Sequence, residues 1–173
     1  MLGECSAASL RVIDVIEGTS VDGPGLRTSI YFAGCAHRCP GCHNMSTWAF
    51  DCGTQTTVEA LMKTIRYNGF NVTFSGGDPM YQAQAIVPLA AAIKAAGLSI
   101  WCYTGFNFEQ LMADDAPAGA KELLKYIDVL VDGPFIEGQR DTTLHFRGSA
   151  NQRLIKIPET LASGAIKLFA PVE

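Results

Sequence analysis

Short β-branched and aromatic runs alternate with amphipathic stretches along this chain. The runs SLRVIDVIEG (9–18), RTSIYFAG (27–34), FNVTFSG (70–76), LSIWCYTG (98–105), IDVLVDG (127–133) and QRLIKI (152–157) have the composition of strands. Between them, Val58, Leu61, Met62 and Ile65 recur at helical intervals. Thr56 and Glu59 stand ahead of that repeat at capping-box spacing, and Gly69 follows as a stop. The stretches AQAIVPLAAAIKAAG (83–97), NFEQLMA (107–113) and AGAKELLKY (118–126) also read as helical. Pro88 either kinks the first of these or opens its second half. TSVDGPGLR (19–27) is a glycine- and proline-rich turn.

Strand–helix alternation predicts a mostly parallel sheet covered by helices. Five or six strands in 173 residues are too few for a closed eight-fold barrel, which takes about 250 residues. The expected fold is therefore α/β, an incomplete, open (βα)-type barrel of mostly parallel strands. With no internal repeat or linker, residues 1–173 are expected to form a single domain. In parallel α/β folds the chemistry sits at the C-terminal ends of strands. Four segments follow such ends and are expected to converge on one rim: the loop 34–44, SGGDP (75–79), YTG (103–105) and VDGPF (131–135).

Composition narrows the function. Apolar residues make up 48% of the chain, so a core forms; the net charge of −4 argues against a general nucleic-acid binder. No apolar run reaches the ~20 residues of a bilayer span. The N-terminal MLGECSAAS lacks a basic start and an apolar stretch, so no secretory signal is read and a cytoplasmic location is expected.

The loop GCAHRCPGCHN (34–44) concentrates the candidate chemistry. Three of the six cysteines, Cys35, Cys39 and Cys42, lie within eight residues, a density that favours metal ligation over disulfides. Cys5, Cys52 and Cys102 are isolated, and Cys102 reads as a small buried hydrophobe. A Cys3His zinc site with His43 is one reading, although adjacent Cys42 and His43 reach one tetrahedral ion awkwardly. An iron–sulfur cluster is the other. Such clusters ordinarily take four cysteines, so three would leave one iron open to a small molecule.

The same residues carry a resemblance. Cys-x3-Cys-x2-Cys is similar to the signature of radical S-adenosylmethionine enzymes. The longer stretch DGPGLRTSIYFAGCAHRCPGCHN (22–44) resembles the glycyl-radical-enzyme activases, in the branch serving anaerobic ribonucleotide reductase. SGGDP (75–79), YTG (103–105), DVLVDGPF (128–135) and FRGSANQR (146–153) resemble further blocks of that branch in the same order, so the resemblance spans roughly residues 10–157. Two positions depart from the wider superfamily: Gly41 replaces an aromatic residue before the third cysteine, and Asp78 stands where glutamate is common.

The resemblance implies a radical S-adenosylmethionine domain in a partial barrel, with a [4Fe–4S] cluster held by Cys35, Cys39 and Cys42. S-adenosylmethionine would bind the open iron, and one electron would cleave it to methionine and a 5′-deoxyadenosyl radical. That radical would take a hydrogen atom from a glycine of anaerobic (class III) ribonucleotide reductase. The implied electron donor is a low-potential protein such as flavodoxin. Cofactor contacts are expected from His43, Asn44, Ser75, Gly76, Gly77, Asp78, Tyr103, Asp132 and Arg147. No protein acid, base or nucleophile is named, because the cofactors carry the chemistry. Each residue also has a plainer reading: a structural hairpin for residues 22–25, a surface position for Arg27, a hydrogen-bonded turn for Asp132. Ser149, Asn151 and Gln152 could serve the cofactor or the partner's loop, and Trp48 and Phe50 the partner or the core. Three other functions stay open: a radical enzyme acting on a small molecule, a zinc-binding interaction module and an electron-transfer protein.

Overall fold

The computed structural model describes residues 9–171. In chain order the elements are β1 (Ser9–Thr19), β2 (Arg27–Phe32), β3 (Thr54–Thr57), α1 (Val58–Asn68), β4 (Asn71–Gly76) and α2 (Ala83–Ala95). They continue with β5 (Ile100–Tyr103), α3 (Phe108–Met112), α4 (Ala120–Leu124), β6 (Val129–Asp132), β7 (Arg153–Lys156) and α5 (Ile157–Ser163). The seven strands form one mixed sheet in the order β3-β1-β2-β4-β5-β6-β7.

The expectation of a mostly parallel sheet needs correction. The central run β2-β4-β5-β6 is parallel, but β1 pairs antiparallel with both β2 and β3, and β7 pairs antiparallel with β6. The physical reason lies in the connections. A parallel pair needs a crossover, usually a helix. Helices α1, α2 and the α3–α4 pair lie between consecutive parallel strands, whereas a short turn joins β1 to β2 and no α-helix lies between β6 and β7.

Strand alternation sorts side chains to two faces. On one face Leu10, Ile30, Phe32, Val72, Phe74, Ile100, Cys102, Leu130 and Ile155 pack with Leu61, Ile65, Ile86, Leu89 and Ile93 of α1 and α2, forming the main core. On the other, Trp101, Val129, Val131 and Leu154 form a smaller cluster against Tyr103, Phe146 and Phe169. Cys102 is fully buried in the main core, as expected.

Several local readings shift. The N-cap of α1 is Thr57, whose hydroxyl accepts from Ala60 N at 3.2 Å, and not Thr56, which lies in the short edge strand β3. Gly69 ends α1 in the left-handed conformation. Pro88 lies inside the single helix α2 and does not open a second one. No described helix is long and apolar enough to cross a membrane.

Candidate functional site

The cysteine loop leaves the rim end of β2, where Phe32 is fully buried. Its base is clipped to the following turn: Gly34 N–H donates to Thr47 O at 2.8 Å and Cys35 N–H to Trp48 O at 3.0 Å. Within the loop Arg38 adopts a left-handed conformation with φ 47°, unusual for a side-chain-bearing residue. The turn brings the three cysteines to one place. Cys35 is buried, Cys39 and Cys42 are half-buried, and all three are free thiols.

The three cysteines share the wall of a cavity of about 180 Å³. Asn44, Ser75, Gly76, Gly77 and Tyr103 complete much of that wall. Burial pushes the Cys35 thiol above its ordinary range, and the backbone N–H groups of His37 and Arg38 pull the other way. Asn44 N–H donates to Cys42 Sγ at 3.4 Å. Among the described residues, no three acidic, histidine or cysteine side chains stand close enough to hold a single ion. Cysteines spread around a cavity suit a multi-iron cluster, which distributes its thiolates over several metal atoms. Amides aimed at sulfur are the contacts that tune such a cluster.

The segment 75–79 presses against the cysteine loop. Gly77 N–H donates to Phe32 O at 2.8 Å and Asp78 N–H to Gly34 O at 2.9 Å. A Cβ on Gly77 would come within 2.5 Å of Gly34 O, so only glycine permits this approach. Asp78 does not line the cavity. Its side chain is fully buried and saturated: Oδ2 contacts His37 Nε2 and accepts from Thr104 Oγ1 and Gly105 N–H, each at 2.9 Å, and Oδ1 accepts from Met80 N–H at 2.9 Å. The Asp78 carboxylate thereby ties the rim loops together.

A second cavity of about 420 Å³ shares Asp22, Cys42, His43, Tyr103, Phe135 and Gln152 with the first, and Arg147 lines it. Its size falls within the range of small-molecule sites. Burial raises the Tyr103 phenol well above its ordinary value, and the hydroxyl donates to Phe146 O at 3.0 Å. Arg147 Nη1 donates to Gln152 O at 2.8 Å, while its Nε is buried without a hydrogen-bond partner among the described residues. Asp22 Oδ2 accepts from Tyr31 Oη at 2.5 Å, so the turn 20–26 folds in to reach the cavity wall.

The remaining expected residues are engaged chiefly by other protein groups. Asp132 is buried and lines neither cavity, although the adjacent Gly133 lines the first; it is ion-paired with Arg153 and accepts from Phe108 N–H at 2.8 Å. Arg27 is not on the surface. It is 1% exposed, donates to Thr73 Oγ1 at 2.7 Å and Val72 O at 2.6 Å, and desolvation lowers its pKa to about 10. In FRGSANQR, Ser149 Oγ accepts from Ile136 N–H, Asn151 Nδ2 donates to Pro134 O, and Gln152 Oε1 accepts from Gly148 N–H. These contacts staple the loop to itself. Trp48 is half-buried and Phe50 exposed. Cys5 lies outside the described residues. Two contributors were missed: Phe135 of the cavity wall and His37, whose partner is distant in sequence.

A model of the 4Fe-4S single cluster domain matches residues 21–155, which places the three-cysteine cavity in an iron–sulfur family. Curated relatives sharpen this. The anaerobic ribonucleoside-triphosphate reductase-activating protein of Vibrio cholerae is 42% identical over 142 residues, covering 76% of this chain and 88% of the relative. That of bacteriophage T4 is 37% identical, with 78% and 86% covered, and that of Escherichia coli K12 is 34% identical, with 76% and 89% covered. The chain belongs to the family of anaerobic ribonucleoside-triphosphate reductase-activating proteins. The resemblance carried by the motif blocks is thereby borne out. Among solved structures, QueE from Escherichia coli is similar with a TM-score of 0.47 at 18% identity, over 56% of this chain and 52% of QueE.

Proposed function

We propose that the chain is an activating enzyme that reductively cleaves S-adenosylmethionine and generates a glycyl radical on anaerobic (class III) ribonucleotide reductase. The observation that carries this reading is one cavity walled by Cys35, Cys39 and Cys42 together with Ser75, Gly76 and Gly77. When bound, a [4Fe–4S] cluster supplies the electron that converts S-adenosylmethionine to methionine and a 5′-deoxyadenosyl radical, the species that takes hydrogen from glycine.

The chain's own residues bind and orient. Cys35, Cys39 and Cys42 hold the cluster, with His43 and Asn44 at its edge. The backbone of Ser75, Gly76 and Gly77 receives the amino-acid end of the cofactor. Tyr103 walls both cavities, so one ligand can extend from the cluster into the second chamber. The unpartnered Nε of Arg147 supports a carboxylate contact there, since a buried donor without a partner is costly. Asp78 and Asp132 act by holding the rim loops in place.

The sheet is read as an incomplete barrel, the whole chain working as one radical S-adenosylmethionine domain in the cytoplasm. Its open side admits a protein loop, and a flavodoxin-like donor supplies electrons.

Electron paramagnetic resonance on the anaerobically reconstituted, reduced protein tests the reading. A [4Fe–4S]⁺ signal that changes on adding S-adenosylmethionine is expected, with Cys39→Ala losing both cluster and cleavage. A cluster that ignores the cofactor would instead indicate electron transfer, and stoichiometric zinc without iron an interaction module. Cofactor turnover without glycyl-radical formation on the reductase would point to a small-molecule substrate.

A further inference from the structure

His37 sits midway between the first two cysteines, borders their cavity, and reaches with its ring into the joint between three rim loops. Its Nε2 lies 2.9 Å from Asp78 Oδ2. That oxygen already accepts from Thr104 Oγ1 and Gly105 N–H, so Nε2 is the nitrogen that carries hydrogen and donates. The contact is out of bulk water: Asp78 is 0% and His37 17% exposed at the side chain.

The ring is held on its other sides as well. It meets Phe106 edge-on at 4.5 Å between centroids and Tyr81 at 5.7 Å. A Cβ on Gly105 would lie 2.5 Å from His37 Cδ2, so the glycine of the YTG block makes room for this imidazole. One side chain thereby joins the cysteine loop to the segment after β4 through Asp78 and to the segment after β5 through Gly105 and Phe106.

We infer that His37 is a positioning residue that couples the cysteine loop to the two loops facing S-adenosylmethionine, so that cluster and cofactor are held in register. The inference rests on the function proposed for this site and deepens it. His37 borders the cysteine cavity and acts through Asp78, whose backbone N–H is bonded to Gly34 O and whose carboxylate fixes the start of the YTG turn. Loss of the His37 bond frees one loop relative to the others while leaving all three thiols in place. Partners that orient ligands at one remove typically matter by about 10- to 100-fold.

The test follows cofactor binding separately from cluster assembly. Parent, His37→Phe and His37→Gln are reconstituted anaerobically, iron is counted, and S-adenosylmethionine is titrated against the change in the cluster's paramagnetic signal. His37→Phe keeps the ring's shape and loses the donor. His37→Gln restores an N–H at similar reach. The expected result is parent-like iron content in both, a titration midpoint raised by roughly 10- to 100-fold in His37→Phe, and recovery of most of that loss in His37→Gln. A His37→Phe midpoint equal to the parent's overturns the inference, as does a raised midpoint that His37→Gln leaves uncorrected. If His37→Phe cannot hold iron, Asp78→Asn, which weakens the same joint from the far side, decides between these outcomes. A parent signal indifferent to S-adenosylmethionine would refute the proposed function itself, a result distinct from any difference among variants.

Discussion

Asp132 offers a sharp test of how the rim is built, because its sequence context suggests a ligand and its surroundings a strut. Its side chain is 1% exposed and pairs with Arg153, which also reaches Glu109 at 2.8 Å. Phe108 N–H, at the start of α3, donates to the same carboxylate. Asp132→Ala removes one partner of a buried ion pair, a loss of about 3–5 kcal/mol, and strands an amide, worth about 1–3 kcal/mol by itself. Arg153 is 32% exposed and keeps Glu109, so solvent offsets part of the first cost, and the total is set at about 3–5 kcal/mol. For a domain of this length that lowers Tm by about 6–20 °C. Urea unfolding of the reduced apoprotein, followed by tryptophan fluorescence and circular dichroism together, reads the change as a fall in midpoint at constant slope. The reconstituted variant is expected to bind S-adenosylmethionine within about threefold of the parent, since Asp132 lines neither cavity and mutations without shared partners act independently. Parent-like stability with lost cofactor binding would refute the reasoning and make Asp132 a ligand contact.

Other outcomes follow from the same coordinates. Gly77→Ala forces a Cβ within 2.5 Å of Gly34 O; it is expected to cost about 1–3 kcal/mol and to suppress the cofactor-induced change in the cluster signal. Thr57→Ala removes the α1 cap and should lose about 1 kcal/mol, whereas Thr56→Ala should stay within about 0.5 kcal/mol; equal effects in urea would contradict the assigned cap. Hydrogen bonds from Arg153 hold the Glu109 carboxyl below its ordinary 4.5. A carboxyl lowered in the folded state stabilises above its unfolded pKa and loses that contribution as pH falls through the folded value. Unfolding midpoints should therefore decline below about pH 4.5, and Glu109→Gln should flatten the decline.

The parallel heart of the sheet was legible because its strands are buried on both faces or nearly so, and such strands advertise themselves by β-branched and aromatic runs. Edge strand β3 was not: TQTT is mostly exposed and carries no apolar alternation to see. The direction of β7 was equally hidden, since a composition does not state which way a strand runs; the missing helix between β6 and β7 was the available clue. Helix α5 was overlooked although Pro158 stands in its first turn, a recognised start signal. At the site, the cysteine spacing exposed the metal-binding loop, and the glycines of SGGDP marked a close approach. Asp78 and Asp132 were ambiguous in the sequence because an acidic residue at a strand end looks the same whether it meets a ligand or a neighbouring loop, and the structure gives both loop partners. His37 left no signature at all, its partner being 41 residues away.

The reversal of the last strand has a consequence for how this site can change. A crossover to a parallel β7 would have carried the chain to the far end of the sheet and back through a helix. Because β7 runs the other way, Asp132 and Arg153 pair as neighbours, and the 133–152 connection begins and ends on the same rim. Phe135, Phe146, Arg147 and Gln152, which wall the larger cavity, all belong to that excursion. Loop length costs little in closure entropy, so this segment tolerates changes in length away from the residues that meet the cysteine loop and line the cavities. The cysteine floor and the 133–152 roof of the larger cavity thus come from separate stretches of chain.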